Sequence, residues 1–175
     1  GRGEAVTPQQ ALDASVAIRS SIKSLRSLLV EIYPANLQEA GLQSAIGDLL
    51  NALEARGIAT RLQADLGTAD IDPEVATLVY RATQEALRNV VSHAAATEVR
   101  ITLDIDDAAL RLVVDDNGRG FSTDTLDARA DDGHVGLRSL AGLATDLGGS
   151  LDVRSTPGTG TRVEVSIPID DRTHR

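Results

Sequence analysis

Apolar residues recur along this chain with two different periods, and each change of period marks a new element. Over 9–32 (QQALDASVAIRSSIKSLRSLLVEI), Leu12, Val16, Ile18, Ile22, Leu25, Leu29 and Ile32 stand mostly three or four apart. That spacing predicts a long amphipathic helix, ended by Pro34, because the residue before a proline avoids the helical region. Leu42–Leu53 repeats the helical pattern, with Gly57 as its C-terminal stop. From Ile58 to Leu66 the period falls to two, the mark of a half-buried strand. Asp72-Pro73 then supplies an N-cap and a first-position proline for a helix reaching about Ala95. Alternation returns at Val99–Ile105 and Leu110–Val114. A helix is expected over about Leu137–Leu147, stopped by Gly148-Gly149, and strands over Leu151–Arg154 and Thr161–Ile167.

Strands that follow one another between helices argue for an α+β fold: helices covering one face of a mixed, mainly antiparallel sheet, a two-layer sandwich preceded by a long helix. The expected division is a helical region over 1–36, a second domain over 37–170 and a disordered tail over 171–175.

Composition narrows the function. Seventeen basic and 26 acidic residues leave a net charge of −9, so direct nucleic-acid binding through a basic face is not expected. The chain has no Cys, which removes disulfides and thiolate metal sites. No apolar run is long enough for a bilayer and no signal peptide opens the chain, so a cytoplasmic location without membrane contact is expected. A first residue that is Gly rather than Met suggests a piece of a longer protein.

Two stretches resist a purely structural reading. On a helical wheel, Val75, Leu78, Val79, Ala82, Ala86 and Val90 form an apolar stripe, with Glu85 and Asn89 along its margin and His93 near its middle. Buried without partners, such groups cost roughly 1–3 kcal/mol each. Partners in neighbouring loops are one reading; an edge that holds a ligand is the other, since Asn and Glu oxygens suit Mg²⁺ and Glu85 could accept a proton.

The second stretch is DDNGRGF (115–121). Asn-Gly favours a hairpin, but the residues that follow do not alternate. The stretch lacks the third glycine of a dinucleotide fingerprint and the Gly-Lys-Ser/Thr of a phosphate loop. It reads as a strand end that a flat ligand approaches, with Asp116 placed to accept from an amino group such as that of adenine. Downstream, GHVG (133–136) precedes the expected helix and could hold phosphates on its free N–H groups, and PGTGT (157–161) precedes the last strand.

In this order the stretches resemble the GHKL (Bergerat-fold) ATP-binding domain of sensor histidine kinases, type II topoisomerases, mismatch-repair ATPases and certain chaperones. YRATQEALRNVVSHA (80–94) resembles the N box, DDNGRGF the first glycine box, GHVGL the second and GTGTRVEVSIP the last. SLLVEIYPANLQEAGLQSAI (27–46) resembles the junction between dimerisation helices and ATPase in nitrate-sensor-type bacterial histidine kinases.

The resemblance implies that Asn89 ligates Mg²⁺, and that Glu85 holds a metal-bound water or assists proton removal. It implies that Asp116 binds the adenine amino group of ATP, with Gly118 and Gly120 admitting the base and Thr161 near its side. Gly133 and Gly136 would line the phosphates under a mobile lid of 122–135, with Val135 and Leu137 of the same box in the ATP site. His93 would be structural or phosphate-facing.

Two departures stand out. Ser92 occupies the position where many relatives carry Lys, leaving Arg88 and Arg138 as candidate replacements. No His precedes His93, so the acceptor histidine is expected outside this chain. The implied function is the catalytic region of a two-component kinase, with a response regulator as partner and a homodimer formed through the helical region. The alternatives are an anti-sigma-factor-type serine kinase or another GHKL ATPase, and a dimerisation module that has lost nucleotide.

Overall fold

The computed structural model describes residues 35–106, 109–122 and 132–169. All belong to one compact unit that begins at Pro34. The expected helix over 9–32 and the tail over 171–175 lie outside the described residues.

Helix α1, Ala35–Glu54, is broken at Gly41 (φ 79°, ψ 168°), so its main body is the stretch expected from Leu42 onward. Gly57 turns the chain out of the helix with φ 82°. Strand β1 is Ala59–Asp65. Helix α2, Pro73–Asn89, starts with the Asp72 carboxylate accepting from the Glu74 N–H at 2.7 Å. Strands β2 (Glu98–Asp106) and β3 (Ala109–Asp116) follow. Helix α3 is Asp132–Asp146, and β4 (Ser150–Thr156) and β5 (Gly160–Pro168) close the fold.

The five strands form one sheet in the order β1-β2-β3-β5-β4. β1 runs parallel to β2, and the other neighbours are antiparallel. Registered rows such as Leu62, Ile101, Val114, Val163 and Val153 line one face. Ile101, Val114 and Val163 are buried, as are Leu78, Val79 and Ala82 of α2 and Leu140 and Ala144 of α3. With only 2% aromatics, branched aliphatics and Ala fill this core. The other face carries ion pairs, Arg162 with Asp115 at 2.8 Å and Arg111 with Glu164 at 2.6 Å. The expected two layers, with a mixed sheet covered on one face, are present.

Three boundaries differ from the sequence expectation. The third expected helix does not run α-helically to Ala95: it ends at Asn89 and passes into a single π turn, Val90–Ala94, closed by Ala95 at φ 50°. A π turn holds more residues than an α turn, so the wheel loses phase there. His93 is exposed, not central to the apolar stripe. Helix α3 starts at Asp132, about five residues early, so GHVG forms its opening turn instead of preceding it. Glycines weaken helical propensity and hid that turn from the pattern. Residues 132–135 of the expected lid are thus helical, and 123–131 lie outside the described residues.

Candidate functional site

Three polar residues are buried among the described residues: Thr77, Thr83 and Glu85, all on α2. The two hydroxyls donate to carbonyls one turn back, Thr77 to Pro73 at 2.7 Å and Thr83 to Val79 at 2.9 Å. Glu85 differs. Its residue exposure is 8%. Oε2 accepts from Arg88 Nη2, and Oε1 has no hydrogen-bond partner. A buried carboxylate oxygen without a donor is costly. It marks a place where a water, a cation's hydration shell or a ligand belongs.

Oε1 is aimed at the opening of α3. A Cβ built at Gly136 would stand 2.4 Å from it. The first four N–H groups of a helix lack intrahelical acceptors, so the amides of this opening turn remain available although GHVG is helical. Helix and carboxylate therefore form one polar locus. Asn89, one turn beyond Glu85, is half-buried at the α–π junction.

The second locus lies where the π turn that continues α2 ends, at Ala94. The Asp116 carboxylate, at the end of β3, accepts from the Gly118 N–H at 2.8 Å and from the N–H and hydroxyl of Thr161 on β5. Burial pushes its carboxyl above the ordinary carboxylate range, against the lowering effect of those donors. Gly118 is buried against the π turn: a Cβ there would meet the Ala94 carbonyl oxygen at 2.5 Å. The Arg119 N–H donates to the same oxygen at 2.8 Å. Asp116, Gly118 and Thr161 are thus brought together beside the end of the helix that carries Glu85 and Asn89.

Gly120 has a different neighbour. Its φ is 57°, and a Cβ would stand 2.1 Å from the Thr156 carbonyl oxygen, so this glycine admits the β4–β5 turn. Gly133 and Val135 fall in the opening of α3. Leu137 is buried at 6% exposure, a core position next to that opening.

Two residues that shape the site were not singled out from sequence. Asn117 Oδ1 accepts from the N–H groups of Thr97 and Glu98, both at 2.9 Å, and its Nδ2 donates to Thr97 Oγ1 at 2.9 Å. It splices the glycine loop to the start of β2. Ser155 Oγ accepts from the Phe121 N–H at 2.9 Å and donates to the Gly160 carbonyl at 3.0 Å. Their bonds to Thr97 and Phe121 reach 20 and 34 residues along the chain, so no local pattern signalled them.

Among the described residues no three His, Cys, Asp or Glu side chains cluster to hold a metal. Glu85 and the Asn89 amide oxygen fit a hard cation that draws much of its shell from water and phosphates. Among the described residues no helix is long and apolar enough to cross a membrane.

Comparison with known proteins agrees with this geometry. The family model described as histidine kinase-, DNA gyrase B- and HSP90-like ATPase matches residues 74–171. Sensor histidine kinase LiaS of Bacillus subtilis is 34% identical over 145 residues, 83% of this chain and 39% of its own length. Sensor histidine kinase NarS of Mycobacterium tuberculosis is 33% identical over 171 residues, 95% of this chain and 39% of its own. The chain thus spans about two fifths of these curated relatives. Among solved structures, the histidine kinase domain of the blue-light activated kinase of Erythrobacter litoralis EL346 is 28% identical with a TM-score of 0.56, covering 73% of this chain and 61% of that one. The ATP-binding domain of PrrB from Mycobacterium tuberculosis shares the fold, with a TM-score of 0.55 at 24% identity over 74% of this chain and 92% of that one.

Proposed function

The chain belongs to the histidine kinase-, DNA gyrase B- and HSP90-like ATPase family, and from that premise we propose that it is the ATP-binding catalytic region of a sensor histidine kinase. It would pass the γ-phosphate of ATP to a histidine carried outside this chain, and the phosphate would go on to an aspartate of a response regulator. The observation that carries this reading is the orphaned Glu85 Oε1 aimed at the opening of α3, on the helix whose π-turn end meets the Asp116 glycine loop.

Ala94 lies nine positions beyond Glu85, at most about 13 Å of helix at about 1.5 Å per residue. An extended nucleoside triphosphate fits along such an edge. Asp116 accepts from the adenine amino group, oriented by Gly118 and Thr161. The opening amides of α3, Gly133 to Gly136, receive the phosphates. Mg²⁺ would sit with the Asn89 amide oxygen and Glu85, and would neutralise charge on the phosphates. Glu85 accepts a hydrogen bond from a water at the terminal phosphate and is placed to take the proton of an attacking imidazole. Positioning and charge neutralisation supply most of the catalysis in phosphoryl transfer.

The whole protein is a dimer through its helical region, with this region in the cytoplasm. The relatives named above are sensor kinases, and the anti-sigma-factor-type alternative gains nothing from them.

Calorimetric titration tests the reading. ATP with Mg²⁺ should bind saturably, and Asn89→Ala, which removes the amide oxygen, should abolish the Mg²⁺-dependent part. A separately produced acceptor-helix protein should gain acid-labile phosphate when mixed with this chain and ATP. Absence of ATP binding by the wild-type chain contradicts the reading.

A further inference from the structure

Arg88 is a surface side chain with a buried partner. It is 63% exposed, whereas the Glu85 side chain that its Nη2 contacts is 10% exposed. The guanidinium therefore reaches from the outside of α2 to the margin of the orphaned carboxylate. Glu85 engages one nitrogen of a group with five N–H donors in a fixed fork, so donors remain for a second acceptor.

The surroundings leave a role for it. Glu85 lies against Gly136 at the opening of α3, where the phosphates of the proposed nucleotide converge. Beside the proposed Mg²⁺, a second cation at this carboxylate would further screen it from the terminal phosphate. Lys23 is the sole lysine of the chain and lies far upstream. Ser92, in the π turn beyond Arg88, is exposed and uncharged. His93 and Arg138 are exposed too, but Arg88 is the cation in contact with the carboxylate at this locus.

We propose that Arg88 is the residue by which this site tells a nucleoside triphosphate from a diphosphate: tethered by Glu85, its guanidinium donates to the terminal phosphate. The pair with Glu85 is then preorganisation. The tether holds the exposed fork beside this locus. The assignment rests on the nucleotide-binding reading above.

The test is titration of the chain with ATP and with ADP, each with Mg²⁺, for wild type, Arg88→Ala and Arg88→Gln, with melting curves to verify folding. Wild type should prefer ATP. Both variants should lose about tenfold in ATP affinity, the loss of one charge-assisted hydrogen bond, with ADP affinity unchanged. Equal weakening of both nucleotides would reduce Arg88 to a structural residue and overturn the proposal. So would unchanged ATP affinity, or a wild type without preference for ATP. A wild type that binds neither nucleotide overturns the parent reading as well, which separates the two failures.

Discussion

The Glu85 carboxylate rests against the α-carbon of Gly136: a methyl group at that position would stand 2.4 Å from Oε1 and 2.8 Å from Oε2. Helix α2 and the opening of α3 can meet so closely because position 136 has no side chain. Gly136→Ala should separate two effects. Alanine favours an ordinary helical position by roughly 0.5–1 kcal/mol, so thermal stability should hold or rise slightly. The displaced carboxylate should cost about tenfold in ATP affinity, one charged hydrogen bond's worth. Melting curves and calorimetry on the same samples check both.

Asp116 makes a pH prediction. Burial raises its carboxyl above the ordinary value in the folded chain. The folded state then binds that proton more tightly than the unfolded state. The associated stability is full below the unfolded value, about 3.9, and is lost as pH rises through the folded one. Asp116→Asn keeps an oxygen for the Gly118 N–H and removes the titration. The variant's stability should not change with pH across the raised value, whereas that of wild type should, and it should lose ATP binding. Wild-type ATP affinity should fall on acidification through the raised value, since the adenine amino group needs an ionised acceptor.

Asn117 should matter to stability more than to chemistry. Alanine there removes the bonds to the Thr97 and Glu98 N–H groups and to Thr97 Oγ1. At about 0.5–1.5 kcal/mol for each bond, partly replaced by water at this exposed position, the expected loss is roughly 1–3 kcal/mol. Asn117→Asp keeps the Oδ1 acceptor and should recover most of it. Urea unfolding of the three proteins measures the difference.

How much of this was legible in the sequence depended on whether the physical cause repeats. Strands β2, β3 and β5 follow from alternation, because burial of one sheet face imposes a period of two on Val99, Ile101, Leu103 and their partners. Glu85 stood out because a charged group on the margin of an apolar stripe breaks a pattern, and Asp116 because it stands beside two glycines where a strand ends without a hairpin partner. His93 was misplaced, since a π turn changes the helical phase without any composition signal. The start of α3 was missed because two glycines argue locally against a helix that tertiary packing stabilises. Asn117 and Ser155 were passed over: their bonds reach across 20 and 34 residues to Thr97 and Phe121, distances that no local pattern encodes.

The glycine loops should answer substitution unequally. Gly158 has φ 80° but open space around it, whereas Gly120 at φ 57° would drive a Cβ to 2.1 Å from the Thr156 carbonyl oxygen. Gly158→Ala should cost about 1–2 kcal/mol, the left-handed penalty alone. Gly120→Ala adds a backbone clash and should cost more, with loss of the joint between the first glycine loop and the β4–β5 turn. Thermal melts rank the two directly.

The most direct measurement is a crystal structure of this chain with a non-hydrolysable ATP analogue and Mg²⁺. The account predicts the adenine amino group within hydrogen-bonding distance of the Asp116 carboxylate, the phosphates at the opening turn of α3, and the metal beside Asn89. An analogue bound elsewhere, or one seated with its base at Glu85 and its phosphates at Asp116, would contradict it.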